Sequence, residues 1–227
     1  MEEEITSYDS SQRILLVGEG DFSFSLCLAR AFGTGVNITA TSMISIRHAR
    51  QVNQNAIRNL SELDALGCTL VFKVNVYTMI RHPLLKNKTF DRIIYNFPHS
   101  SLIDVKYEQE FRLHKVLVSG FLKNAKGMLK HDGEIQITHK TTYPFTLWNI
   151  TGLATSEGLS LVGKEKFDKK LYPGYDIKRG AGPQCDETFH VGESSTFMFA
   201  NLYKDVMEKN KKKTFKDVLL NENMFLN

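Results

Sequence analysis

Short apolar runs alternate along this chain with longer stretches of helical period. Residues 13–17, 36–42, 69–76, 90–96 and 133–140 are apolar or β-branched runs bounded by polar turns, and they predict strands. Residues 22–32, 47–66 and 108–126 carry apolar positions three and four apart and predict helices. In the third of these, Phe111, Val116, Leu117, Phe121 and Leu122 mark the buried stripe. Gly67 and Gly127 are expected to close the second and third helices. Pro144 is placed to start another helix over residues 145–157, because its missing N–H is not needed in a first turn. Two more strands, 159–167 and 195–203, follow with no helical pattern between them. The alternation predicts an α/β fold with a parallel sheet and right-handed crossovers. The last pair predicts an antiparallel ending, for seven strands in all.

The first strand runs straight into Gly18-Glu19-Gly20-Asp21-Phe22-Ser23. Two glycines one residue apart, between a strand and a helix, let a ligand approach the backbone closely. A phosphate-binding loop needs a Lys-Ser/Thr pair after the second glycine, and none follows. A dinucleotide fingerprint asks for a small residue at the sixth position, where Ser23 fits only roughly. The third candidate is S-adenosylmethionine. Glu19 and Asp21 flank Gly20, and carboxylates there suit a methionine ammonium and repel a pyrophosphate. Spacing alone leaves the methyl donor, a dinucleotide and a plain structural turn all open.

Composition narrows the class. The chain has 227 residues, 42% of them hydrophobic and 11% aromatic, enough for one large domain with a real core. The expected division is an extension over residues 1–12, a domain over 13–203 and a basic tail over 204–227. No run of apolar residues is long enough for a membrane span, and Met1-Glu2-Glu3-Glu4 is no secretory signal. Three widely spaced cysteines, Cys27, Cys68 and Cys185, make no disulfide framework. A reducing compartment is expected, nucleolus or cytoplasm, and a monomer is the favoured state. No histidine has metal-ligand spacing, so no metal is expected. The net charge of +4 permits nucleic-acid binding without requiring it. The tail lysines, densest at Lys211-Lys212-Lys213, read as a solvated helix or as an RNA phosphate contact or nuclear address.

The longer string Val17-Gly18-Glu19-Gly20-Asp21-Phe22-Ser23-Phe24-Ser25 resembles the opening motif of the 25S rRNA uridine-N3 methyltransferase-like family. Three further blocks match in order: Thr39-Ala40-Thr41-Ser42, Phe90 through His99, and Tyr172-Pro173-Gly174-Tyr175 with Lys178-Arg179. The likeness covers residues 13–203. It implies a class I methyltransferase fold, Rossmann-like, with S-adenosyl-L-methionine as donor. It also implies methylation of N3 of a uridine in large-subunit rRNA, with rRNA or a pre-ribosome as partner. Plant relatives often carry a heavy-metal-associated isoprenylated label, but this chain has no Cys-x-x-Cys and Met224-Phe225-Leu226-Asn227 has no prenylation cysteine.

The resemblance also sorts the candidate residues. Gly18, Glu19, Gly20, Asp21, Phe22, Ser23, Ser42 and Asn75 are expected to hold the donor. Asn96-Phe97-Pro98-His99 resembles the Asn/Asp-Pro-Pro-aromatic motif of methyltransferases that modify planar nitrogens. There Asn96 meets the base edge, Phe97 offers a stacking face and Pro98 stiffens the loop. His99 is the candidate to take the N3 proton near neutral pH. Tyr172, Tyr175, Lys178 and Arg179 interleave rings and cations and are expected to hold RNA. Five strand ends should meet at the site, the fifth being residues 139–142. One departure stands out. The family has an acid at or beside Ile44 that grips the ribose, and no Asp or Glu occurs here from Phe22 to Ser61. Ser42 or Ser45 is left to accept instead, and the third strand ends in Asn75 where the family has Asp. Weak donor binding is therefore expected, with a non-catalytic RNA-binding or ribosome-assembly module as the second reading. A dinucleotide oxidoreductase is the third.

Overall fold

The computed structural model describes residues 8–53, 55–100, 107–180 and 184–202. In chain order the elements are β1 (Ile14–Leu16), α1 (Ser23–Phe32), β2 (Ile38–Ser42), α2 (Ile46–Val52), α3 (Ala56–Ala65), β3 (Thr69–Phe72), β4 (Phe90–Asn96), α4 (Tyr107–Met128), β5 (Leu129–Lys140), α5 (Ile150–Ser156), β6 (Ser160–Lys166) and β7 (Ser194–Ala200). They form one seven-stranded sheet in the order β3-β2-β1-β4-β5-β7-β6. The first five strands pair in parallel, and β7 is antiparallel to both neighbours. This is the expected sheet. β1 is short and wholly buried because both faces are covered, which is why it reads as an unbroken apolar run. One core packs α4 and α5 against the sheet around Phe121, Ile135 and Phe199. The other packs α1 and α3 around Phe22, Phe24 and Leu60. Chain order reverses between β1 and β4, and the crevice at that switch point is where ligands bind in such sheets.

Several boundaries differ from the reading of the sequence. The single helix expected over residues 47–66 is two, because buried Asn53 is extended at the break and its amide donates to Gly20 O at 3.0 Å. β3 stops at Phe72 rather than Val76, because Lys73 turns the chain with φ 59°. Gly127 does not end α4. It lies inside the helix, where a Cβ would come within 2.5 Å of Ile80 Cδ1. The helix expected from Pro144 is a 3₁₀ turn over Phe145–Trp148 and then α5, divided by left-handed Asn149, whose side chain caps Gly152 N. Residues 8–12, expected as extension, pack on the domain: the Tyr8 hydroxyl donates to Gln136 Oε1 at 2.6 Å. The three cysteines are free and buried. The predicted basic tail lies outside the described residues.

Candidate functional site

The glycine turn after β1 is fixed before any ligand arrives. Gly18 has φ +73°, and a Cβ there would lie 2.5 Å from the Tyr95 ring, so only glycine fits. Glu19 N–H donates to Thr41 O and Ser42 Oγ donates to Glu19 O, at 2.9 and 2.8 Å. The amides of Asn53 and Asn59 hold the carbonyls of Gly20 and Asp21. Phe22 and Ser23, expected to touch the donor, do not line the cavity. Phe22 is fully buried beside Phe72 with a left-handed backbone, φ 64°. Ser23 Oγ bonds Asp21 Oδ1 and the backbone of Asp176.

The start of α1 is taken by the protein's own acids. Ser23 N–H donates to Asp21 Oδ1 at 3.0 Å and Ser25 N–H to Glu19 Oε2 at 3.1 Å. Donors that would cradle a pyrophosphate are thus already occupied by carboxylates, which argues against a phosphate ligand. Burial pushes the Glu19 carboxyl up to about 7, against the hydrogen bonds from Ser25. Asp21 is also raised by burial, and it is only 3% exposed. Its Oδ2 is buried and has no hydrogen-bond partner among the described residues. Two carboxylates held out of water, one oxygen lacking a donor, form a site that a cation satisfies.

These groups open onto a cavity of about 390 Å³, within the range of small-molecule sites. It gathers Gly18, Glu19, Gly20, Asp21, Ser42, Asn75, Asn96, Phe97, His99, Tyr175, Lys178 and Arg179 from the sequence expectations. Pro98, Tyr172 and the strand end at residues 139–142 are not among its walls. Asn96, at the end of β4, accepts from Thr138 Oγ1 at 2.7 Å and lies beside the Tyr175 hydroxyl. Burial, then Glu19 and Asp21, push that phenol well above its ordinary value, so it stays neutral and able to donate. Asn75 Oδ1 already accepts from Tyr77 N–H at 2.9 Å. His99 is exposed at the rim with its ring 4.4 Å from that of His114, which stacks on Trp148 at 4.2 Å. His139 also packs on Trp148, with ring centres 4.3 Å apart, and burial lowers its value to about 4.

From the segment expected to hold RNA, Tyr175, Asp176, Lys178, Arg179, Gly180 and Cys185 line the cavity. The rings of Tyr172 and Tyr175 pack on Phe24 at 5.3 and 4.9 Å, and Tyr172 also stacks on Phe167. The Lys178 ammonium is clamped by Asp176 and Asp186 at 3.1 and 3.3 Å and by Asp186 O. Both tyrosines are half-buried and Lys178 is held by its two aspartates, whereas Arg179 is exposed. A short hairpin, with Lys178 opposite Thr188 and Gly180 N–H bonded to Cys185 O, brings Gly180 over Gly20. A Cβ on Gly20 would sit 3.2 Å from Gly180 Cα. On the β2 side, the wall that lacks an acid is made by Met43, Ile44 and His48. Ser45 caps α2 through His48 N–H and is not a wall residue. His48, in the first turn after the second strand, was legible by position but not by residue type.

Residues 15–179 match the family described as rRNA (uridine-N3-)-methyltransferase BTM5-like. The chain belongs to this family. A relative at 50% identity over 202 residues is an uncharacterized protein of Arabidopsis thaliana, matched over 87% of this chain and 97% of that protein. Heavy metal-associated isoprenylated plant protein 41 of the same plant is 42% identical over 86% of this chain, which spans 38% of that protein. A 25S rRNA (uridine(2634)-N(3))-methyltransferase of Saccharomyces cerevisiae is 22% identical over 94% of this chain and 80% of its own length. Among solved structures, the glycopeptide N-methyltransferase MtfA complexed with sinefungin superposes with TM-score 0.54 at 11% identity, over 86% and 82% of the two chains. The fold is that of class I methyltransferases. Among the described residues no group of His, Cys, Asp or Glu is arranged to hold a metal, and no helix is long and apolar enough to cross a membrane.

Proposed function

We propose that this chain is an S-adenosylmethionine-dependent methyltransferase acting on N3 of a uridine in large-subunit rRNA, within the nucleolus or cytoplasm. The observation that carries the reading is the pair of raised acids, half-buried Glu19 and buried Asp21 with its unpartnered Oδ2, in one cavity with Asn96, Phe97 and His99. The residues fit the donor: the glycines leave backbone bare, the two carboxylates receive an ammonium, and Asn75, Ile44 and His48 line the adenosine end. His48 supplies the polar contact to ribose that the family's acid would otherwise make. When bound, the donor supplies a methyl group activated by a positive sulfur. The protein's part is to hold the base with Asn96 and the neutral Tyr175 hydroxyl, and to remove a proton whose pKa lies above neutral, with His99 at the rim as acceptor. The transfer is direct and needs no covalent enzyme intermediate. Full activity of His99→Ala across the neutral pH range would remove that role.

One observation favours a second reading, a non-catalytic RNA-binding or assembly module: the wall after β2 carries no carboxylate. Calorimetric titration with S-adenosylmethionine, with NADH as control, separates the readings. Saturable binding of the methyl donor alone is expected. No heat at millimolar concentration would defeat the enzyme reading.

A further inference from the structure

Beside the cavity mouth lies a cluster of rings and cations that the donor site does not use. Phe97 follows Asn96 with φ 47°, a left-handed backbone that is costly for a bulky residue and marks functional sites. The strained turn, held by Phe97 N–H on Thr138 O at 2.8 Å, places its half-buried ring edge-to-face against Phe167 at 5.4 Å and Phe189 at 5.5 Å. Lys140, at the end of β5, sets its ammonium 5.1 Å from the Phe189 ring centre and 4.8 Å from that of Phe145. It pairs with no carboxylate among the described residues. Burial, and then the nearby Arg179, lower its pKa. Among the described residues Arg179 pairs with Glu187, at 3.8 Å across an exposed pair worth little. Next to Phe145, Tyr143 is 80% exposed.

We propose that Phe97, Phe145, Phe189 and Lys140, with Arg179, form a stacking platform for single-stranded RNA, taking a nucleotide next to the one in the cavity. The proposal rests on the methyltransferase reading, and it extends that reading to Lys140, Phe145 and Phe189, outside the cavity. Half-buried rings offer faces to bases, and two like-charged cations side by side, one lacking a carboxylate, suit a phosphate between them. Phe97 and Arg179 also line the cavity, so the platform is continuous with its mouth. An A-form duplex would present its backbone and shallow groove rather than open base faces, so an unpaired strand is the fitting occupant.

The test is fluorescence anisotropy with a labelled oligouridylate of about ten nucleotides, on wild type, Phe189→Ala and Lys140→Met. Phe189→Ala is expected to weaken binding about tenfold. Lys140→Met, which keeps the apolar stem over the rings, is expected to lower the slope of log affinity against log salt by about 0.7. Neither residue lines the cavity, so S-adenosylmethionine binding by calorimetry should be unchanged in both. If the wild type fails to bind the oligonucleotide, or both variants bind it as the wild type does, the platform is wrong. If Phe189→Ala is misfolded, Lys140→Met alone decides by its salt slope. If the variants lose RNA while no form binds the donor, the platform stands and the methyltransferase reading falls.

Discussion

Replacing Glu19 by Gln separates the charge of the glycine turn from its shape. Glutamine keeps an oxygen to accept from Ser25 Oγ and N–H, which reach Glu19 at 2.6 and 3.1 Å. What disappears is a carboxyl that burial has moved from 4.5 to about 7. In the unfolded chain it ionises near its ordinary value. The folded protein therefore binds more protons between those two values, and its stability falls as pH rises through that window. At about 1.4 kcal/mol per pH unit the full displacement sets a ceiling of about 3 kcal/mol. Screening at a half-buried site brings this to about 1–2 kcal/mol. Glu19→Gln should thus stabilise the ligand-free protein by about 1–2 kcal/mol at about pH 8 and by almost nothing at about pH 4. The same change removes a charged acceptor for the donor's ammonium, so donor affinity at about pH 8 should drop about tenfold or more. Thermal melts across the pH range, with calorimetry on the same samples, read both effects. Equal destabilisation at every pH, or unchanged donor affinity, would refute the reasoning.

Other perturbations probe neighbouring parts of the site. Gly20→Ala places a Cβ 3.2 Å from Gly180 Cα and should lift the hairpin from the turn, weakening donor binding while costing about 1–2 kcal/mol in a chemical melt. Gly18→Ala meets both the Tyr95 ring and a positive φ, so its loss of stability should exceed that of Gly20→Ala. Tyr175→Phe keeps the ring on Phe24 but removes the hydroxyl beside Asn96, and single-turnover methyl transfer should slow about tenfold. His139 has a folded value of about 4 against an ordinary 6.5, so the unfolded chain binds more protons in that window and stability falls as pH drops through it. His139→Phe should flatten that acid limb in thermal melts; an unchanged limb would show that His139 is not its source.

The sheet was readable because buried β1 and the buried part of β4 appear as apolar runs, because β2 is a buried β-branched run, and because β6 and β7 follow one another without a helix. What local pattern missed came from distant contacts. The break between α2 and α3 is made by an asparagine whose partner, Gly20, lies 33 residues away. The continuation of α4 through Gly127 reflects close packing on Ile80, which composition cannot show. In the site, the glycine turn and Asn96 to His99 were legible because strand ends in this topology converge. The packing of Tyr172, Tyr175 and Lys178 was not. Aromatic and basic residues in a loop read alike whether they face RNA or fold inward, and here Phe24 and two aspartates draw them in. The rings that remain open, Phe97, Phe145 and Phe189, are scattered in sequence and meet only through the fold.

The central claim is methyl transfer to uridine. Incubation of the protein with isotope-labelled S-adenosylmethionine and unmodified large-subunit rRNA, followed by nucleoside mass spectrometry, tests it most directly. The predicted result is label in 3-methyluridine, reduced with Glu19→Gln and lost with Asn96→Ala. Donor binding without label in any nucleoside, or label confined to another base, would contradict it.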